Sequence, residues 1–300
     1  MDKRLQEEQK FTARNDYAFK KLFGTEENKD ILIDFLSLAT GIEKSDFECV
    51  EIQNSEIPPQ FYEDKVGRLD IKVVLKDERR IDIEMQNVYF NYYPKRSIFY
   101  WCELFIETLK KGDGYSTLNK CIAINILNAT FPLTNKLHSI YKILEHEEYS
   151  LLDDVFEIHF FDLTKLSGRE KSKLEKWLLF IRTEDKRVRE ELAKESPMIA
   201  KANEVMNIFY SNAKEREAYL AASKYECDRI SMINESKREG IAQGMAQGMA
   251  QGMAQGMAQG MATGERNAKI AMAKMMKNKN FAIDVIMEMT GLSIEEIEKL

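Results

Sequence analysis

Gly67 to Gln86 reads GRLDIKVVLKDERRIDIEMQ. Two short alternating runs flank a charged turn. In the first, Leu69, Ile71, Val73 and Leu75 share one face, and Asp70, Lys72 and Lys76 share the other. In the second, Ile81, Ile83 and Met85 point one way and Asp82, Glu84 and Gln86 the other. Period-two alternation of this kind predicts strands with one face in a core. Lys76-Asp77-Glu78-Arg79-Arg80 is polar enough to connect them, so the strands are expected to pair antiparallel. That pairing brings Asp70 and Glu84 to the same side of the sheet, near one end. On the alternation alone, a solvated polar face is the simpler reading, with Lys72 available for a cross-strand pair. Two converging carboxylates also suit a divalent cation, which takes hard oxygen ligands and completes its shell with waters, carbonyls and substrate phosphate.

Asp70, thirteen intervening residues, then Glu84-x-Gln86 resembles the PD-(D/E)XK nuclease superfamily, and most closely the recombination-promoting nucleases, the "PD-(D/E)XK nuclease family transposase" group. Asn15-Asp16-Tyr17-Ala18-Phe19-Lys20-Lys21-Leu22-Phe23-Gly24 upstream and Gly112-Asp113-Gly114-Tyr115 downstream carry the resemblance further. It spans about residues 11 to 165, with a looser match beyond. The resemblance implies an α/β fold with a restriction-endonuclease-like mixed central sheet, an αβββαβ core, followed by an α-helical C-terminal region. It implies metal-dependent hydrolysis of DNA phosphodiester bonds that promotes recombination. Asp70, Glu84 and the Met85 carbonyl would hold Mg²⁺, or Mn²⁺ or Ca²⁺, and Asp70, Glu84 and Gln86 would be the catalytic residues. Gln86 stands where most of the superfamily has lysine. A carboxamide orients water but brings no positive charge to a transition state. The rival reading is a catalytically silent nuclease-fold module that binds DNA or protein and assembles through its helical half.

The rest of the chain fits around this hairpin. Phe19, Leu22 and Phe23 predict a first helix capped by Asn15 or Asp16, and a second runs from about Asn28 to Thr40-Gly41. Asp16 is both a cap candidate and a candidate third acid for the metal. Residues 46–57 predict a strand before Pro58-Pro59, and about Lys95 to Lys111 predicts a helix. Lys95, Arg96 and Tyr100 near its start suit either DNA phosphate binding or a solvated helix face. Lys120 to Leu127 (KCIAINIL) is an apolar run expected of a strand covered on both faces. His138–Glu145 and Val155–Phe161 are further strand candidates. Segments 169–183, 185–195 and 197–236 predict helices that pack on the core or form a dimer. The expected division is a nuclease-like core over 1–165, a helical region over 166–239, a repeat over 240–264 and a small helical tail over 265–300.

That repeat is six tetrads over residues 241–264: IAQG, four copies of MAQG, then MATG. Its glycines disfavour a lone helix by roughly 5 kcal/mol, and a helical tetrad row drifts about 40° per repeat. A flexible or semi-helical spacer is therefore expected, with a self-association segment, and hence a homo-oligomer, as the alternative. In the tail, Ser293 and Glu296 predict a capping box after a Thr-Gly turn.

Composition narrows the classes. The chain has 300 residues, 44% hydrophobic and 31% charged, enough for one sizeable core with appendages. Its net charge of −6 neither advertises DNA binding nor opposes it, because cation-bound acids can accept phosphate. No apolar run approaches the roughly 18 residues that span a membrane, and the N-terminus shows no secretory signal. Four scattered cysteines without paired spacing suit reduced thiols in the cytoplasm and not a zinc site. The three histidines have no ligand spacing and are expected to be structural or exposed.

Overall fold

The structure, a computed structural model, describes residues 10–47, 51–53, 71–109, 111–168 and 172–300. Its elements in chain order are α1 (Asp16–Phe23), α2 (Lys29–Thr40), β1 (Glu51–Gln53), β2 (Ile71–Val74), β3 (Arg80–Gln86), α3 (Tyr93–Ile106), β4 (Cys121–Leu127), β5 (His138–Tyr141) and β6 (Phe156–Asp162). Helices follow: α4 (Lys173–Arg182), α5 (Lys186–Glu195), α6 (Pro197–Ser211), α7 (Ala213–Asn278), α8 (Ile283–Thr290) and α9 (Ile294–Glu298). The strands form one six-stranded mixed sheet in the order β1-β2-β3-β4-β6-β5. β1, β2 and β3 pair antiparallel, β3, β4 and β6 parallel, and β5 closes the edge antiparallel to β6. This is the αβββαβ succession expected from the sequence.

Central position explains the composition of β4. All seven of its residues are buried, with parallel neighbours on both sides and layers on both faces. One face meets α1, α2 and the helices after the sheet. There Ile71, Val73, Ile81, Ile83, Ile122, Ile124 and Ile126 share a core with Phe19, Phe35, Trp177, Phe180 and Phe209. The other face is covered by α3, where Tyr93, Trp101 and Leu104 pack on Cys121, Ala123, Leu127, Ile158 and Phe160. The β2–β3 turn needs Glu78 in the left-handed region at φ 65°, and the Leu75 N–H donates to the Arg79 carbonyl across it at 2.9 Å.

Among the described residues of this hairpin, the anticipated solvated polar face is covered at its acids. Asp82 and Glu84 are each 1% exposed, because the β3–α3–β4 crossover lays a helix over them. Lys72 finds its carboxylate on Glu107 of the segment following α3, and Arg80 joins the same Glu107 at 2.9 Å.

Two compact units divide the chain, Met1–Glu226 and Cys227–Leu300. In the first, the later helices belong to the sheet's own core. The Trp177 indole N–H donates to Asp34 at 2.8 Å, and the fully buried Arg189 donates to the Phe11 carbonyl at 2.8 Å. Asn212 breaks the helix expected over 197–236, accepting from the N–H of Lys214 and Glu215 to start α7. In the second unit the tetrad repeat is helical throughout. Every tetrad contains alanine and five of the six contain glutamine, both good helix formers, and no proline interrupts them. Met245, Met249, Met253, Met257 and Met261 are all exposed. The small core of Ala273, Ile286, Leu292 and Ile297 closes around Gly291 at φ 67° and the Ser293–Glu296 capping box.

At the β5–β6 edge, His138 Nε2 lies 3.0 Å from His159 Nδ1, and His159 Nε2 lies 2.6 Å from Glu157. Lys120 and Lys142 also pair with Glu157, at 2.8 and 3.1 Å. Burial, followed by the adjacent His159, pushes the His138 pKa down from 6.5 to about 4. Burial opposes ionisation of Glu157, but its bonds from His159, Lys120 and Lys142 outweigh that and hold it well below the usual range. Both groups therefore bind more protons unfolded than folded, so the stability they confer is present above their unfolded pKa values and is lost as pH falls. The urea midpoint should decline between about pH 6.5 and 4, and His138→Gln should flatten that part of the profile.

Candidate active site

Strand alternation places Asp82, Glu84 and Gln86 on the face beneath α3. Glu84 lies opposite Asn125 of β4. Helix α3 opens with Pro94 in its first turn, where the missing N–H costs nothing. Its next residues at helical spacing turn Tyr93, Arg96, Ser97, Tyr100 and Trp101 towards the sheet and its rim. Ser97 Oγ donates to Asn125 Oδ1 at 2.7 Å, and Asn125 Nδ2 donates to the His159 carbonyl at 3.1 Å. One turn on, the Trp101 indole N–H donates to the Cys121 carbonyl at 2.7 Å. These buried bonds seat α3 on the parallel strands and so determine where Arg96 reaches.

Arg96 reaches Glu84. Its Nη2 stands 2.9 Å from Glu84 Oε2, with the Glu84 side chain 2% and the Arg96 side chain 29% exposed. Gln86 Nε2 donates to the same oxygen at 3.2 Å. The Arg96 guanidinium also lies over the Tyr100 ring at 4.9 Å and the Tyr93 ring at 5.7 Å, within cation–π range. Burial works against the Arg96 charge, yet Glu84 and the two tyrosines more than compensate and raise its pKa. Tyr100 titrates high, first through burial and then through the Glu84 and Asp82 charges, with Arg96 pulling the other way. At the C-terminal end of β3, Asn87 Nδ2 donates to the Arg14 carbonyl at 3.2 Å, which ties the segment before α1 to this end of the sheet.

Of the residues singled out in the sequence, Glu84, Gln86, Arg96 and Tyr100 come together here. Lys95 is exposed on α3. Asp16 is exposed at the start of α1 and pairs with Lys20 at 3.1 Å, while the cap is Asn15, which accepts from the Ala18 N–H at 3.2 Å. Asp70 lies outside the described residues; its neighbour Ile71 pairs with Ile83, which precedes Glu84. Among the described residues, no group of three or more His, Cys, Asp or Glu is placed to hold a metal ion. The donor set nevertheless suits a hard cation. It offers the Glu84 carboxylate, the Met85 carbonyl and the Gln86 side-chain oxygen, all hard oxygen ligands. The Ser97–Asn125 link was not foreseen, although a lone asparagine inside the run CIAINIL was its visible signal.

Against known proteins, the family model described as "PD-(D/E)XK nuclease family transposase" matches residues 13–236. The chain belongs to that family. No curated protein and no solved structure gives a significant match. The part shared with the PD-(D/E)XK transposase family takes in the sheet, helices α1 to α6 and the first turns of α7, and it stops short of the tetrad repeat. Both residues of the E-x-Q pair and the arginine facing it lie within that part.

Asn125→Leu would leave the Ser97 hydroxyl and the His159 carbonyl without their buried partner. A cost of about 1–3 kcal/mol is expected in urea unfolding, with a smaller loss for Ser97→Ala.

Proposed function

We propose that this chain is a divalent-metal-dependent DNA endonuclease. The observation that carries the reading is the buried Glu84 carboxylate on β3, balanced by a cation and set beside a parallel strand in a PD-(D/E)XK family chain. Asp70 and Glu84, with the Met85 carbonyl, would hold Mg²⁺, and Mn²⁺ or Ca²⁺ could take the same oxygen ligands. Such a cation, when bound, polarises a phosphate and makes water a stronger nucleophile.

The protein's own groups do the rest. Gln86 uses its amide N–H on Glu84, which leaves its carbonyl oxygen to accept from and orient a water. Lys95, Arg96 and Tyr100 line the approach and contact the DNA backbone. Cleavage of this kind leaves ends that promote recombination, and the place of work is the cytoplasm. No helix among the described residues is long and apolar enough to cross a membrane. The exposed methionine row of the repeat is the surface through which copies would associate into a homo-oligomer. The silent, DNA- or protein-binding reading draws on Gln86, which brings no positive charge to a transition state.

Supercoiled plasmid incubated with Mg²⁺ or Mn²⁺ separates the two. Nicking should disappear with EDTA and fall by about 100-fold or more in Asp70→Ala and Glu84→Ala, the scale of removing a transition-state electrostatic contact. Cleavage that survives both substitutions would refute the assignment, and folded protein inert with every metal would favour the silent reading.

A further inference from the structure

Resting on that reading, we infer that Arg96 is a resident counter-cation of Glu84, displaced when a divalent cation binds, so that metal uptake releases the guanidinium to a DNA phosphate. A carboxylate 2% exposed cannot stay ionised without a positive partner, and here that partner is Arg96 at 2.9 Å. The contact falls on Glu84 Oε2, the oxygen that Gln86 also donates to. A metal ion on this carboxylate would place two positive charges within contact range of each other. Their repulsion makes the two partners compete for Glu84.

The surroundings give the displaced side chain a place to go. Arg96 stands at the rim, 29% exposed, while Glu84 sits beneath it. The guanidinium already lies over the Tyr100 ring at 4.9 Å, and that contact can hold it once the carboxylate is taken. Lys95, next to it on α3, is exposed. A guanidinium stacked beside an exposed lysine is suited to a bidentate grip on phosphate oxygens. Arg96 thereby acts in opposite directions on two ligands: it holds metal affinity down and raises phosphate affinity once metal is bound. An arginine that merely supported the site would favour both.

The test titrates full-length protein with Mn²⁺ by calorimetry and, separately, with a labelled duplex by anisotropy in Ca²⁺. Wild type, Arg96→Gln, Arg96→Lys and Glu84→Ala are compared. Arg96→Gln should bind Mn²⁺ about 10-fold more tightly and the duplex about 10-fold more weakly. Arg96→Lys, which keeps the charge but loses the planar guanidinium, should lie between it and wild type on both scales. Metal affinity that is unchanged or weaker in both Arg96 variants, with binding still lost in Glu84→Ala, would overturn the competition and leave the nuclease reading standing. Wild-type protein whose Mn²⁺ binding does not depend on Glu84 would overturn both.

Discussion

A carboxylate buried on a sheet that is covered on both faces has to be met by a positive charge, and the Glu84–Arg96 contact satisfies this. Much of the architecture serves to bring the pair together. Glu84 is buried because β3 pairs antiparallel with β2 on one side and parallel with β4 on the other. A parallel neighbour requires a crossover, and the crossover helix α3 is what carries Arg96 over the acid. The Ser97–Asn125 and Trp101–Cys121 bonds seat that helix. The acid, its counter-charge and the bonds that align them are one unit.

The opposite face has a different task. Isoleucines and valine from β2, β3 and β4 meet the first two helices and the later ones in one apolar core. Buried Arg189 is part of that packing, with its guanidinium on the Phe11 carbonyl and the Tyr210 hydroxyl. The helices after β6 are therefore part of what keeps the sheet rigid, not an attachment to it. A site that holds charges in apolar surroundings needs such a backing, because small displacements of a buried ion pair are costly.

The electrostatics of the β5–β6 edge and of the middle of the sheet are organised in the same way. Near one edge, Glu157 is ionised by His159 and two lysines, and it orders a line of two imidazoles. Around β3, Glu84 and Glu107 each gather their own cations. Buried or half-buried charge here is matched locally, which is why a net charge of −6 says little about where phosphate would be accepted.

By itself the sequence determined what local periodicity and chain connectivity control. The alternation of Ile71–Val74 and Arg80–Gln86, their charged turn, the apolar run Cys121–Leu127, the helical stripes and the Ser293–Glu296 cap were all legible, since each depends on neighbours a few residues away. So was the E-x-Q pair. Tertiary structure alone decided that Asp82 and Glu84 are buried, because which face a helix covers depends on the β3–α3–β4 crossover and not on β3. It alone paired Arg96 with Glu84 and Ser97 with Asn125, residues that are 12 and 28 positions apart. The tetrad repeat is part of α7 with every one of its residues exposed, so no core contact within the chain accounts for its helix.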